Sequence, residues 1–270
     1  VTERAANFGV RVGPELVVKA LPGLPTIVPG DDLPQIIGQG LEAASMPLQD
    51  DDLVVVASKI VSRAEGCFVD LSTIGPGEEA RRLADEVDKD PALVELILRE
   101  SQAVSRKKPG VLITRHKLGF VSANAGIDSS NAAPQDAVEG TGPWVLTLPR
   151  DPDATAARLR AELQARFGVR IGVILTDSWG RPFRHGTIGF AIGLSGLPGL
   201  WDRRGAHDRH GRMLEFTETG LADAVAAAAD LVAGQADEGR PVTLIRGLRY
   251  ESTDAGGQCL VREADEDLYA

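Results

Sequence analysis

Asp50-Asp51-Asp52 runs straight into Leu53-Val54-Val55-Val56-Ala57, an apolar stretch with no polar alternation. A strand with one wet face alternates, so a short unbroken run of this kind belongs to a strand buried on both faces. The chain must therefore supply covering layers for that strand. Helical patterns are expected over residues 33–44, with Leu33, Ile36, Ile37 and Leu41 at helical spacing, and over 78–86, 91–103, 154–167 and 221–232. Leu159, Leu163 and Phe167 recur every fourth residue, and Thr217-Glu218-Thr219 is the expected cap of the alanine-rich helix. Strands are expected over 10–18, 111–115, 120–123, 170–175 and 241–246, with a glycine- and arginine-rich loop over 193–212. Strands and helices alternate with hairpin-like pairs mixed in, which predicts an α+β fold of mixed sheets with helices. No repeat or linker divides the chain, so residues 1–270 are expected to be one domain, any internal boundary being unassignable.

A formal charge of −10 argues against a sequence-independent grip on nucleic acid. The apolar runs are too short to span a bilayer at roughly 20 residues, and no secretory signal is recognised, so no membrane partner is expected. Cys67 and Cys259 have no CxxC spacing, which supports neither a disulfide framework nor a zinc cluster. A reducing cytoplasm is the expected location.

Two segments concentrate chemistry: Ala125-Gly126-Ile127-Asp128-Ser129-Ser130-Asn131 and Leu175-Thr176-Asp177-Ser178-Trp179-Gly180-Arg181-Pro182-Phe183-Arg184-His185-Gly186. Each places an aspartate where an apolar run gives way to small polar residues, as at a strand end that presents ligands. Two carboxylates with neutral oxygens beside them suit a hard cation serving a phosphate. Arg181 and Arg184 add groups suited to phosphate or carboxylate. Asp128 has an alternative reading as an Asx turn. Gly234-Gln235-Ala236-Asp237-Glu238-Gly239-Arg240 reads by composition as a helix stop and charged turn. Neither GxxxxGK[ST] nor GxGxxG occurs, so a nucleotide would be held by some other device. His116, His185, His207 and His210 lack metal-binding spacing, and no general base is assigned; His116 and His185 are the histidines considered for that role.

Together with Gly23-Leu24-Pro25, Ser58-Lys59-Ile60-Val61-Ser62-Arg63-Ala64-Glu65-Gly66, Arg115-His116, Ala123-Asn124 and Asp208-Arg209-His210-Gly211-Arg212, these segments resemble, in order, the coenzyme F420-0:L-glutamate ligase (gamma-glutamyl ligase) family. The resemblance implies an intertwined homodimer that uses GTP to attach L-glutamate to the lactyl carboxylate of coenzyme F420-0, then adds gamma-linked glutamates. An acyl phosphate would be the intermediate, with GDP and phosphate released. It implies magnesium or manganese at two sites, with potassium as a further ion. Asp128 and Asp177 would bind one metal, Ser178 and Gln235 the other. Contacts to GTP would come from Leu24, Pro25, Thr26, Ile27, Ser58, Arg63, Asn131, Ala233, Gly234, Gln235, Ala236, Asp237, Glu238, Gly239 and Arg240. Arg63 stands where the family often has lysine, so its contact differs in geometry. A metal-dependent phosphohydrolase and a non-catalytic nucleotide-binding module are the competing readings.

Overall fold

The computed structural model describes residues 9–263 and 266. Strand β1 (Arg11–Ala20) leads through a turn-rich segment to helix α1 (Leu33–Ala43), which starts where the Asp32 carboxylate accepts the Gln35 amide. The unbroken apolar run forms β2 (Leu53–Ala57), which passes without a loop into α2 (Ser58–Ala64). β3 (Phe68–Asp70) precedes a helical pair, α3 (Glu78–Val87) and α4 (Pro91–Arg99). β4 (Ser101–Lys108), β5 (Val111–His116) and β6 (Val121–Ala123) make a three-stranded antiparallel sheet, and β7 (Trp144–Leu146) returns to pair with β3. Asp151 caps α5 (Pro152–Phe167), which stops at Gly168 in the left-handed conformation. β8 (Gly172–Arg181) and β9 (Arg184–Ser195) form a long hairpin. β10 (Leu200–Asp202) pairs with β11 (Glu218–Gly220), followed by α6 (Leu221–Ala233) and β12 (Val242–Arg249).

The central sheet has the order β1-β12-β2-β8-β9, antiparallel except for the parallel β2–β8 pair. The unbroken apolar run is explained by two cores. Val54 and Val56 join α1, α2 and α5 on one face; Leu53 and Val55 join α6 on the other. Both faces of β2 are thus dry, as its composition demands. A third core lies among α3, α4, β5 and β7. Gly193 lets α5 lie directly on β9: a Cβ there would come within 2.5 Å of Pro152 Cβ.

Four expectations need correction. The strand expected to end at Asp177 continues to Arg181, because β9 supplies a ladder partner at every step and Asp177 lies opposite Phe190. The helix expected over 91–103 ends at Arg99, since residues from Ser101 onward pair with β5 instead of continuing the helix. The expected loop over 193–212 begins within β9 and is interrupted by β10. Thr217 does not cap α6: Glu218–Gly220 are held in the β10 ribbon, and Gly220 occupies the N-cap without a side-chain bond.

Candidate functional site

Parallel pairing of β2 with β8 places Ala57 opposite Thr176, so the next residues, Ser58 and Asp177, emerge side by side. The Ser58 hydroxyl donates to the Asp177 carboxylate, whose Oδ1 also accepts the Ser178 amide at 2.8 Å. Asp128 is delivered from elsewhere. Its amide and carbonyl form a two-way bridge with Leu146 of β7, at 2.9 and 2.8 Å, and β7 is anchored through β3 to the end of α2. Asn124, Ala125 and Gly126 precede it in three successive left-handed conformations, and Asn131 is a fourth. Such backbone is costly at non-glycine positions and persists where the surroundings over-determine it, commonly at functional loops.

These residues open onto a cleft of about 790 Å³, a volume typical of small-molecule sites. Residues 24–27, Ser58, Arg63, Asp128, Asn131, Asp177 and Ser178 line it, as do residues 233–240 with the exception of Asp237. The Ser178 hydroxyl donates to Gln235 Oε1 at 2.9 Å, and Gln235 Nε2 donates to Asp230. The turn after α6 is therefore tied to β8; Gly234 is the helix C-cap and residues 235–240 are exposed, as composition predicts, and residues of the same turn also line the cleft. Arg63 does not point a free guanidinium into the cleft: it donates to the Ile27 carbonyl at 2.8 Å and the Asn131 carbonyl at 3.1 Å, fastening two walls. Arg184 and His185 are exposed near the tip of the β8–β9 hairpin, and neither they nor Arg181 line the cleft. Their closeness in sequence to Asp177 misleads, because the strand carries them away.

Among the cleft-lining residues that sequence reasoning does not assign to the site are Lys59, Trp179 and Asp230. Lys59 lay within the quoted Ser58–Arg63 segment and is an immediate neighbour of Ser58, the only signal that could have marked it. Trp179 belongs to a stacked column of His116, Phe120, Trp179 and Phe190, with successive ring centroids 5.0, 4.9 and 4.9 Å apart, which braces β8 against the β5–β6 turn.

The two aspartates differ electrostatically. Protein packed around Asp177 pushes its carboxyl up to about 6, an effect the Asp128 charge reinforces and the bonds from Ser178 and Ser58 only partly offset. Burial also pushes Asp128 upward, but Lys59 and Ser130 donate to it and hold it below the ordinary carboxylate range. Among the described residues no group of three or more His, Cys, Asp or Glu side chains converges as a metal cage. Two carboxylates with a hydroxyl and an amide beside them nevertheless fit magnesium or manganese, since such ions take one or two carboxylates and complete their shell with phosphate oxygens and water.

His116 stands outside the cleft and is buried. Its Nδ1 accepts the Leu118 amide at 2.9 Å, and burial, with Lys117 adding, pushes its pKa down from 6.5 to about 4. An unfolded chain gains a proton near pH 6.5 that the folded one refuses until about 4, so stability present above 6.5 drains away through that window. The loss approaches roughly 2–3 kcal/mol at its foot. His116→Gln is expected to flatten the pH dependence of urea unfolding across this range; an unchanged slope contradicts the assignment. The Cys67 thiol is pushed up to about 11, chiefly by burial, and is not an activated nucleophile.

The fold and cleft define an α+β protein that sets a half-buried carboxylate pair against a small-molecule cavity rimmed by arginine and glycine. Residues 23–247 match the F420-0:Gamma-glutamyl ligase family, and the chain belongs to it. The coenzyme F420:L-glutamate ligase of Methanopyrus kandleri is 42% identical over 260 residues, covering 95% of this chain and 98% of that protein. Its counterpart in Methanothermobacter thermautotrophicus is 42% identical over 249 residues, covering 92% and 96%. That of Archaeoglobus fulgidus is 38% identical over 246 residues, covering 91% and 93%.

Proposed function

We propose that this protein is a GTP-dependent ligase that joins L-glutamate to the lactyl carboxylate of coenzyme F420-0 and then extends the product with gamma-linked glutamates. The observation that carries the reading is the convergence, around one cleft, of Asp128, Asp177, residues 24–27 and the turn after α6. Convergence of polar groups from distant segments on one cavity is the arrangement expected of a shared ligand site. The similarity to ligases named for coenzyme F420 and L-glutamate supports the choice of substrates.

A carboxylate resists attack by an amine until one of its oxygens becomes a leaving group. In this reading that oxygen takes the terminal phosphoryl group of GTP, giving an acyl phosphate and GDP. The glutamate amine then adds to the acyl carbon, phosphate departs and the nitrogen gives up a proton. Asp128 and Asp177 would hold one divalent ion, and Ser178 with Gln235 a second, with potassium as an additional ion; the divalent metals would neutralise charge on the phosphoryl oxygens. The chain's own work is to hold anions together and in line. Residues 24–27 and 233–240 would hold the nucleotide, with Ser58 and Asn131 at its phosphates and Arg63 tying Ile27 to Asn131. Val12, Leu16 and Val17, exposed on the edge strand β1, support assembly as a homodimer. Among the described residues no helix is long and apolar enough to cross a membrane.

The test is mass spectrometry of coenzyme F420-0 incubated with the protein, GTP, manganese and L-glutamate. Products carrying one or more added glutamyl groups are expected, with GDP formed in step. Steady GTP hydrolysis indifferent to both co-substrates and without such products would indicate a phosphohydrolase instead. GTP binding with no turnover would leave a binding module.

A further inference from the structure

We propose that Lys59 is the resident counter-ion of the carboxylate pair: its ammonium holds Asp128 until a divalent cation arrives with nucleotide phosphates, which then take the ammonium over. The proposal rests on the nucleotide and metal reading of the cleft.

The lone pairs of Asp128 limit what its carboxylate can hold. Oδ1 already accepts the Ser130 amide and the Ser130 hydroxyl, both at 2.7 Å. Oδ2 is the oxygen left for a cation, and Lys59 Nζ sits 2.8 Å from it. An ammonium held against that oxygen opposes a divalent ion there, because two cations would share one carboxylate oxygen at close range. Lys59 can leave. Its other hydrogen bond is to the neutral Ser130 hydroxyl at 3.0 Å, about a third of the side chain is exposed, and its stem is long and flexible.

Leaving without a new anion would be unfavourable, and this couples the two ligands. Arg63, the other cation on this wall, is committed to the Ile27 and Asn131 carbonyls and is not placed to relieve the pair. The phosphates of a nucleotide beside the metal supply what the displaced ammonium needs. Metal alone should therefore bind weakly and metal with nucleotide tightly, a reciprocal coupling between the two. An ordinary structural ion pair predicts something else: its loss would cost a little stability and leave metal affinity unchanged or lower.

Manganese binding to the whole protein, followed by titration calorimetry and by the paramagnetic resonance of free manganese, separates these cases. It would be measured with and without a non-hydrolysable GTP analogue, for the unaltered protein, Lys59→Met and Lys59→Arg. Lys59→Met is expected to bind manganese alone about tenfold more tightly than the unaltered protein, with the enhancement by nucleotide correspondingly reduced. Lys59→Arg, which keeps the charge, is expected to stay close to the unaltered protein. Should the methionine variant not fold, Lys59→Gln carries the same expectation. If the unaltered protein binds manganese with nucleotide but the neutral variants bind it alone no more tightly, the counter-ion role is overturned and the metal site stands. If the unaltered protein takes up no manganese under either condition, the metal reading fails and this proposal with it.

Discussion

Asp177→Asn is expected to reduce glutamylation about a thousandfold while leaving the folded protein at least as stable as before. On the proposed reading Asp177 is one of two carboxylates that would hold a divalent metal, whose charge neutralisation would lower a phosphoryl-transfer barrier by several kcal/mol. The retained stability follows from the site itself. Burial raises the Asp177 carboxyl to about 6, so its charge is a burden on the fold, and an asparagine oxygen can still accept the Ser178 amide. Asp128→Asn should lose activity similarly, at a stability cost below about 1 kcal/mol, because the Lys59 ion pair that it weakens is partly exposed. Product mass spectrometry measures the first effect, and urea unfolding with circular dichroism the second. Full activity in either folded variant would remove that aspartate from the metal assignment.

The second large effect lies away from the cleft. Arg246→Ala is expected to destabilise the protein by about 3–5 kcal/mol. The Asp52 side chain is completely buried at the entry to β2, and Arg246 of β12 grips it with two bonds, each 2.7 Å, to separate carboxylate oxygens. Among the described residues, only the Gln49 amide, at 2.8 Å, would remain as a hydrogen-bond donor to that carboxylate. A buried charge stripped of its partner costs far more than the intact pair contributes, and the expected loss is a large part of a typical domain's stability. Equilibrium urea unfolding reads it directly. Asp52→Leu combined with Arg246→Met should recover most of the loss, because the penalty belongs to the orphaned charge. A deficit below 1 kcal/mol in the single variant would show that water or a rearranged neighbour reaches Asp52.

Much of the secondary structure is legible because its causes are local. Asp32, Asp90 and Asp151 each precede a helix with proline in its first turn, and each caps it through its own carboxylate. Leu53–Ala57 announces burial on both faces by composition alone. What escaped depends on partners distant in the chain. β3 and β7 are three-residue strands with no periodic signal, and each exists because the other is beside it. β8 extends past Asp177 through polar residues because β9 pairs with it.

In the cleft, ordered motif resemblance picked out Asp128, Asp177, Ser178 and Gln235 as candidates, and the structure brings all four to one cavity. Proximity in sequence failed as a guide for Arg184 and His185, which the hairpin projects outward, and it concealed Lys59, whose partners lie across the chain at Asp128 and Ser130. The amino-acid sequence by itself determined where the Asp-Pro-capped helices begin, that Leu53–Ala57 is buried on both faces, and which residue types are available for binding cations and phosphates, since capping and local composition act over a few residues. Only the tertiary structure decided which of those residues meet. The β2–β8 register sets Ser58 beside Asp177, and the bridge from Asp128 to Leu146 brings the second carboxylate from another sheet system. Strand register is a collective property of chains paired across the fold, and a shift of one residue would turn each of these side chains to the opposite face.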